Sequence, residues 1–89
     1  MESMQFETTN KEGKKVVCEV IATYHDDNTN KDFIIYTDKS FDDNKRLSLY
    51  YSLYEKRNNN IKLIDITNAE DKRIGLEIIK ELVNDIRSN

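Results

Sequence analysis

The sequence predicts an α+β domain: a five-stranded antiparallel sheet followed by one C-terminal helix. Three observations predict it. Short β-branched and aromatic runs alternate with polar turns, the C-terminal part has an apolar pattern of helical period, and 89 residues suffice for one small domain. Because the loops between the predicted strands are short, neighbouring strands should run antiparallel in a meander. We expect a single domain over 1–89, with the sheet over about 4–66 and the helix over about 68–87 packed on one face.

Five segments have the composition of strands, at 4–8, 16–24, 32–37, 47–54 and 61–66. Polar turns or loops at 10–14, 25–31, 38–45 and 57–60 separate them. The fourth segment has the clearest alternation, because Leu47, Leu49, Tyr51 and Leu53 share one face and the residues between them share the other. In the second segment, the even positions from Val16 to Tyr24 are likewise predicted to share one face.

The helix has a start signal and one apolar side. Thr67 and Glu70 match a capping box, and Asn68 is an alternative cap. At about 100° per residue, one arc collects the apolar positions Ile74, Leu76, Ile78, Ile79, Leu82, Val83 and Ile86. Gly75 lies within this arc, where it costs about 1 kcal/mol of helix propensity relative to alanine. We expect its missing Cβ to allow close approach to the sheet, so that Gly75→Leu destabilises the fold.

The second face of the sheet is the candidate functional surface. If the leucine face of the fourth strand meets the helix, Tyr50 and Tyr54 point to the other side, where no remaining segment covers them. The predicted interaction surface is therefore partly apolar and consists of Ile21, Ile34, Tyr36, Tyr50 and Tyr54. Tyrosine suits such a surface because it combines a large rigid contact area with a polar tip.

The composition excludes several classes of site. Cys18 is the only cysteine, so an internal disulfide framework and a multi-cysteine zinc site are excluded. His25 is the only histidine, which argues against catalytic triads and most catalytic metal sites. The net charge of −3 argues against a duplex-binding protein, and the two glycines, Gly13 and Gly75, are too far apart for a phosphate loop. We expect no catalytic residue, no cofactor and no metal ligand.

One loop resembles the start of a calcium site. Oxygen-bearing side chains occupy every second position: Asp26, Asn28, Asn30 and Asp32. The EF-hand pattern then fails, since Lys31 stands where glycine is needed and Thr37 where a bidentate glutamate belongs. We interpret the segment as a hairpin loop built from turn-forming residues, with cation binding left open. Cys18 is expected in the core and His25 in solvent, too far apart for a thiol–imidazole pair.

A series of short segments runs through most of the chain. Gly13 is followed by Cys-Glu-Val-Ile-Ala-Thr-Tyr at 18–24, Asp-Phe-Ile-Ile-Tyr-Thr at 32–37, the tyrosine-rich strand at 49–54 and the helical stretch at 67–83. In this order and spacing the chain resembles the YrzB-like family of small uncharacterised proteins of Gram-positive bacteria, a domain of unknown function. The resemblance implies a cytoplasmic protein and brings no catalytic residues.

Together these observations predict a non-enzymatic interaction or regulatory module. It would contact a protein partner, or a second copy in a homodimer, through the uncovered sheet face or an exposed edge strand. The N-terminus has no signal-peptide pattern and no apolar run is long enough to span a membrane, and the lone thiol fits a reducing compartment, so we expect a cytoplasmic protein without a membrane partner. Two alternatives remain. Tyrosines beside basic residues could stack on single-stranded nucleic acid, or a second subunit could complete a small enzyme.

Overall fold

In the computed structural model, residues 4–58 and 60–87 are described, the last three without their side chains. The elements in chain order are β1 (Gln5–Thr9), β2 (Lys15–Asp26), β3 (Lys31–Thr37), β4 (Tyr50–Arg57), β5 (Asn60–Ile64) and α1 (Ala69–Arg87). The strands form one antiparallel sheet in the order β1-β2-β3-β4-β5, so the predicted meander with a C-terminal helix is confirmed. Part of the predicted turn at 57–60 and the side chain of Ile86 lie outside the described residues.

The predicted fourth strand begins too early. β4 starts at Tyr50, and Leu47 instead forms an isolated bridge with Phe41 in the loop that follows β3. The side chain of Asp42 accepts hydrogen bonds from the backbone N–H groups of Asn44 and Arg46, both at 2.9 Å. These bonds close a small turn, so the leucine alternation at 47 and 49 belongs to a folded loop and not to the sheet.

A β-bulge divides β2 into two halves. Even-numbered side chains point to one face of the sheet before the bulge and to the other face after it. The register passes from Val20 opposite Tyr36 to Ala22 opposite Ile35, which leaves Ile21 as the extra residue. An extra residue reverses which side chains point to each face. The prediction that all even positions of this strand share one face is therefore wrong: Tyr24, opposite Phe33, lies on the helix side.

The sheet curls until its two edge strands approach each other. Cα atoms of β1 and β5 come within 8 Å, and the concave face encloses a core of Phe6, Cys18 and Ile34. Half-buried side chains pack around it: Val16, Val20, Tyr36, Tyr54, Ile61 and Leu63. The expectation that this face is uncovered is wrong, because curvature buries it without any additional element.

The helix covers the convex face of the sheet. A Cβ placed on Gly75 would overlap the ring of Tyr51, so the predicted close approach of helix and sheet is confirmed. Phe33 and Ile35, which share this face with Tyr51, are buried. The tyrosine–leucine face of β4 therefore meets the helix.

The first turn of the helix is fixed by Asn68 and Asp71. The Asn68 Oδ1 accepts a hydrogen bond from the Asp71 backbone N–H at 2.8 Å, and the Asn68 Nδ2 donates to the Asp71 carboxylate at 2.9 Å. The alternative cap, Asn68, is confirmed, and the box of Thr67 and Glu70 is wrong because the helix begins at Ala69, one residue later than that box requires. The Lys31 Nζ also donates to Asp71 at 2.6 Å and so joins the β2–β3 hairpin to the helix.

Candidate functional site

A cleft of about 560 Å³ opens at one end of the curled sheet. Because β1, β3 and β5 run in the same direction, their C-terminal ends meet there with the N-terminal ends of β2 and β4. We call it the tyrosine cleft and define it by Cys18, Tyr36, Asp38, Tyr50, Leu63 and Asp65. It is an open depression formed by the curvature of the sheet.

Two tyrosines form one wall of the cleft. Tyr36 near the end of β3 and Tyr50 at the start of β4 are direct cross-strand partners. Their rings stack with centroids 5.5 Å apart and planes inclined by 28°. Phe6 meets Tyr36 edge-on at 5.4 Å, which fixes the inner ring from behind. Tyr36 is half-buried and Tyr50 is 39% exposed, so the outer ring is available to a ligand.

The floor of the cleft is apolar. Cys18 is buried there, with Val16 and Leu63 beside it. Burial raises the pKa of the Cys18 thiol, and the nearby charge of Asp38 raises it further, so the group is a neutral thiol near pH 7. Burial likewise raises the pKa of Tyr36, which stays a neutral phenol.

The rim carries two carboxylates. Asp38 accepts hydrogen bonds from the Ser40 hydroxyl at 2.5 Å, the Ser40 backbone N–H at 3.0 Å and the Tyr50 hydroxyl at 3.3 Å. The bond from the Ser40 hydroxyl is the main cause that lowers the pKa of Asp38, which is therefore ionised at neutral pH. The carboxylate of Asp65, just after β5, makes no hydrogen bond or ion pair within the described part of the chain. Lys11, from the β1–β2 turn, is the one cation among the lining residues.

The five residues predicted as an interaction surface do not form one. Ile34 is fully buried in the interior core, and Tyr54 packs against that core. Ile21 is half-buried at the bulge. Only Tyr36 and Tyr50 line the cleft, because the strand ends, unlike the strand centres, remain open to solvent.

The edge strands offer no room for an added strand where they face each other. Cα atoms of β1 and β5 approach within 8 Å, whereas a strand inserted between them would need a separation of about 9.5 Å. A cavity of about 320 Å³ lies at this seam, lined by Gln5, Phe6, Glu7, Asn60 and Ile61. Insertion of a partner strand would therefore require the sheet to open.

The calcium-like loop uses its carboxylates internally. The Asp26 Oδ2 accepts hydrogen bonds from the Thr29 backbone N–H at 3.0 Å and the Thr29 hydroxyl at 2.6 Å. His25, predicted in the loop, lies in β2, and its Nδ1 is 2.7 Å from the Asp32 Oδ1. This contact is the main cause that raises the pKa of His25. Among the side chains that the structure describes, no three of His, Cys, Asp or Glu are grouped to hold a metal ion.

The two rim carboxylates were not predicted as site residues, although the sequence contains a signal for them. Asp38 follows the third strand and Asp65 follows the fifth, and in a meander both positions fall at the same end of the sheet. The bond between Lys31 and Asp71 has no such signal, since it joins residues 40 positions apart.

In the described part of the chain there is no helix with the length and apolar character needed to cross a membrane. The tyrosine cleft is the largest of the surface cavities described above. Comparisons of the chain with protein-family models, with curated proteins and with solved structures found no match.

Proposed function

We propose that this protein is a non-enzymatic interaction module that binds a protein partner at the tyrosine cleft. The observation that carries the proposal is the stacked pair of Tyr36 and Tyr50 above an apolar floor, at the mouth of a cleft of about 560 Å³. Rigid aromatic side chains that are partly exposed beside a concavity are typical of the central contacts of protein interfaces. The partner is another protein or a second copy of this chain.

The chemistry of the cleft favours binding over catalysis. A nucleophilic cysteine needs a lowered pKa, whereas the pKa of Cys18 is raised by its burial. A general base works best with a pKa near the operating pH, whereas hydrogen bonds lower the pKa of Asp38. Neither group is tuned for acid–base or covalent chemistry at neutral pH.

Single-stranded nucleic acid is less well supported as a partner. Base stacking requires exposed aromatic rings near cations that attract phosphates. Here Asp38 and Asp65 flank the tyrosine pair, and carboxylates repel a phosphate backbone. A protein partner is compatible with both the rings and the rim.

A cytoplasmic location is part of the proposal, as is the predicted membership in the YrzB-like family. The cytoplasmic location is supported by the thiol of Cys18, which is free and buried in the core. Free cysteines are typical of proteins in reducing compartments.

Affinity capture from an extract of the source organism tests the proposal, with wild type, Tyr50→Glu and Tyr24→Glu as baits. Tyr24 is a matched control, because it is 48% exposed and lies on the helix side, away from the cleft. We expect a partner that wild type and Tyr24→Glu both retain and that Tyr50→Glu loses. Light scattering over a range of concentrations tests the homodimer in the same three proteins.

Equal capture by all three baits, together with a monomeric mass at every concentration, would contradict the proposal. Circular dichroism spectra and thermal unfolding of the variants provide the folding control. Since Tyr50 is among the exposed large side chains, its substitution should leave the fold intact.

A further inference from the structure

We infer that the tyrosine cleft receives a lysine side chain of the partner: an aliphatic stem that carries an ammonium group. This inference rests on the proposed function, since it names the group that the cleft recognises. It follows from the residues that line the cleft: the thiol of Cys18 is buried, whereas the ring of Tyr50 and the carboxylate of Asp65 are exposed.

The apolar residues of the cleft suit the aliphatic stem of lysine. Cys18, Val16 and Leu63 present sulfur and aliphatic carbon, and the thiol is neutral. Lysine commonly buries its methylene chain against apolar surface while its charged end stays in a polar environment. A volume of about 560 Å³ exceeds what one such chain fills, so water can accompany the ammonium group.

The aromatic and acidic residues of the cleft suit the ammonium group of lysine. Tyr50 stacks on Tyr36 through one face and is 39% exposed, which leaves ring surface for a cation within about 6 Å of its centroid. Asp38 is already ionised and has accepted the Tyr50 hydroxyl, so it polarises the ring and contributes negative charge. The carboxylate of Asp65 has no hydrogen bond or ion pair within the described part of the chain, and its oxygens can accept hydrogen bonds from the ammonium group.

The charge balance of the lining agrees with a cationic guest. Two carboxylates, Asp38 and Asp65, face one ammonium, that of Lys11. Lys11 is exposed in the turn before β2 and forms no ion pair within the described residues. Its charge opposes a bound lysine, so its removal should strengthen binding.

A set of three blocked amino acids separates charge from shape. Nα-acetyl-lysine N-methylamide, its norleucine counterpart and its glutamate counterpart are titrated into the ¹⁵N-labelled protein, and backbone amide shifts are followed by NMR. We expect saturable shifts at Cys18, Tyr36 and Tyr50 with the lysine probe, with an affinity at least about fivefold above that of norleucine. The glutamate probe should cause no saturable shift at these residues. Equal responses to lysine and norleucine would overturn the inference.

Three variants locate the charge recognition. Asp65→Asn should weaken the lysine probe about threefold to fivefold, and Lys11→Met should tighten it by a similar factor. Asp43→Asn is the matched control, because Asp43 is exposed in the β3–β4 loop and does not line the cleft. An unchanged affinity in both Asp65→Asn and Lys11→Met, or the same loss in the control, would contradict the inference.

The probe titrations and the capture experiment fail independently. Capture that depends on Tyr50, without any preference for the lysine probe, would leave the proposed function in place and overturn the lysine inference. A lysine preference in the titrations with capture unaffected by Tyr50→Glu would contradict the proposed function instead.

Discussion

The two faces of the sheet are buried in different ways. The concave face closes on itself, so that residues from distant strands, such as Phe6 and Ile34, share one core. The convex face cannot close on itself and depends on the helix, which contacts β4 through Gly75 and Tyr51. Curvature and a covering element are thus two solutions to the same requirement, that a sheet must bury an apolar face.

The difference also explains where an open surface remains. A curled sheet buries the centres of its strands better than their ends, because each end has neighbours on one side only. Ile34, in the middle of β3, is fully buried, whereas Tyr50, at the start of β4, is 39% exposed. The candidate site lies at a strand end for this reason, and not on the broad face that the sequence suggests.

The largest expected effect is on the concave core. Ile34→Ala should lower the free energy of unfolding by about 2–5 kcal/mol, because it removes a fully buried aliphatic group from a site with little freedom to collapse. Urea denaturation measures the change. Ile61→Ala is the comparison. Because Ile61 in β5 is only half-buried, this substitution should lower the free energy of unfolding by less. An equal or larger loss for Ile61→Ala would show that the centre of the concave core is not better packed than its margin beside β1.

The next effect concerns the contact between helix and sheet. Gly75→Ala should destabilise by about 1–3 kcal/mol, because the added Cβ overlaps the Tyr51 ring and overpacking outweighs the gain in helix propensity. Gly75→Leu should be worse. In a Tyr51→Ala background the ring is absent, so Gly75→Ala should instead stabilise by up to about 1 kcal/mol. If Gly75→Ala has the same effect in both backgrounds, the close contact does not determine the choice of glycine.

A smaller effect is expected where the β2–β3 hairpin meets the helix. Lys31→Met removes the ammonium that donates to Asp71, whose side chain is 3% exposed, and should lower the urea midpoint at pH 7. Lys15→Met, at an exposed position in β2, is the matched control and should leave the midpoint unchanged.

The difference in stability between wild type and Lys31→Met should depend on pH. The hydrogen bond from Lys31 is the main cause that lowers the pKa of Asp71, so this carboxylate stabilises the fold above its unfolded pKa of about 3.9. That stabilisation is lost as the pH falls through the lower folded pKa. The difference between wild type and Lys31→Met should therefore be largest near neutral pH and disappear in acid. A difference that does not change between pH 7 and pH 2 would contradict this account.

The smallest effect is expected at the cleft. Tyr50→Phe removes a 3.3 Å hydrogen bond to Asp38 but keeps the ring that stacks on Tyr36, and it should change the free energy of unfolding by less than about 0.5 kcal/mol. Thermal and urea unfolding measure it. A loss as large as that of Ile34→Ala would mean that the tyrosine pair holds the fold together and is not reserved for a ligand.

Particular elements show how far the sequence alone predicts this structure. The meander, the helix and the role of Gly75 follow from local patterns: short polar loops, periodic apolar residues and one glycine in an apolar arc. The faces to which the β2 side chains point do not follow from such patterns, because the bulge at Ile21 has no distinct residue signature. The start of β4 was misplaced for a related reason, since side-chain hydrogen bonds to Asp42 fold the preceding leucines into a loop.

By itself, then, the sequence determined the number, order and direction of the elements, because these depend on periodicity and loop length. The tertiary structure alone decided that the second face is an interior. That outcome depends on the accumulated twist of five strands and on the approach of β1 to β5, which are non-local. It also decided that this end of the sheet remains an open cleft in which the rings of Tyr36 and Tyr50 stack, since that depends on the curvature of the folded sheet.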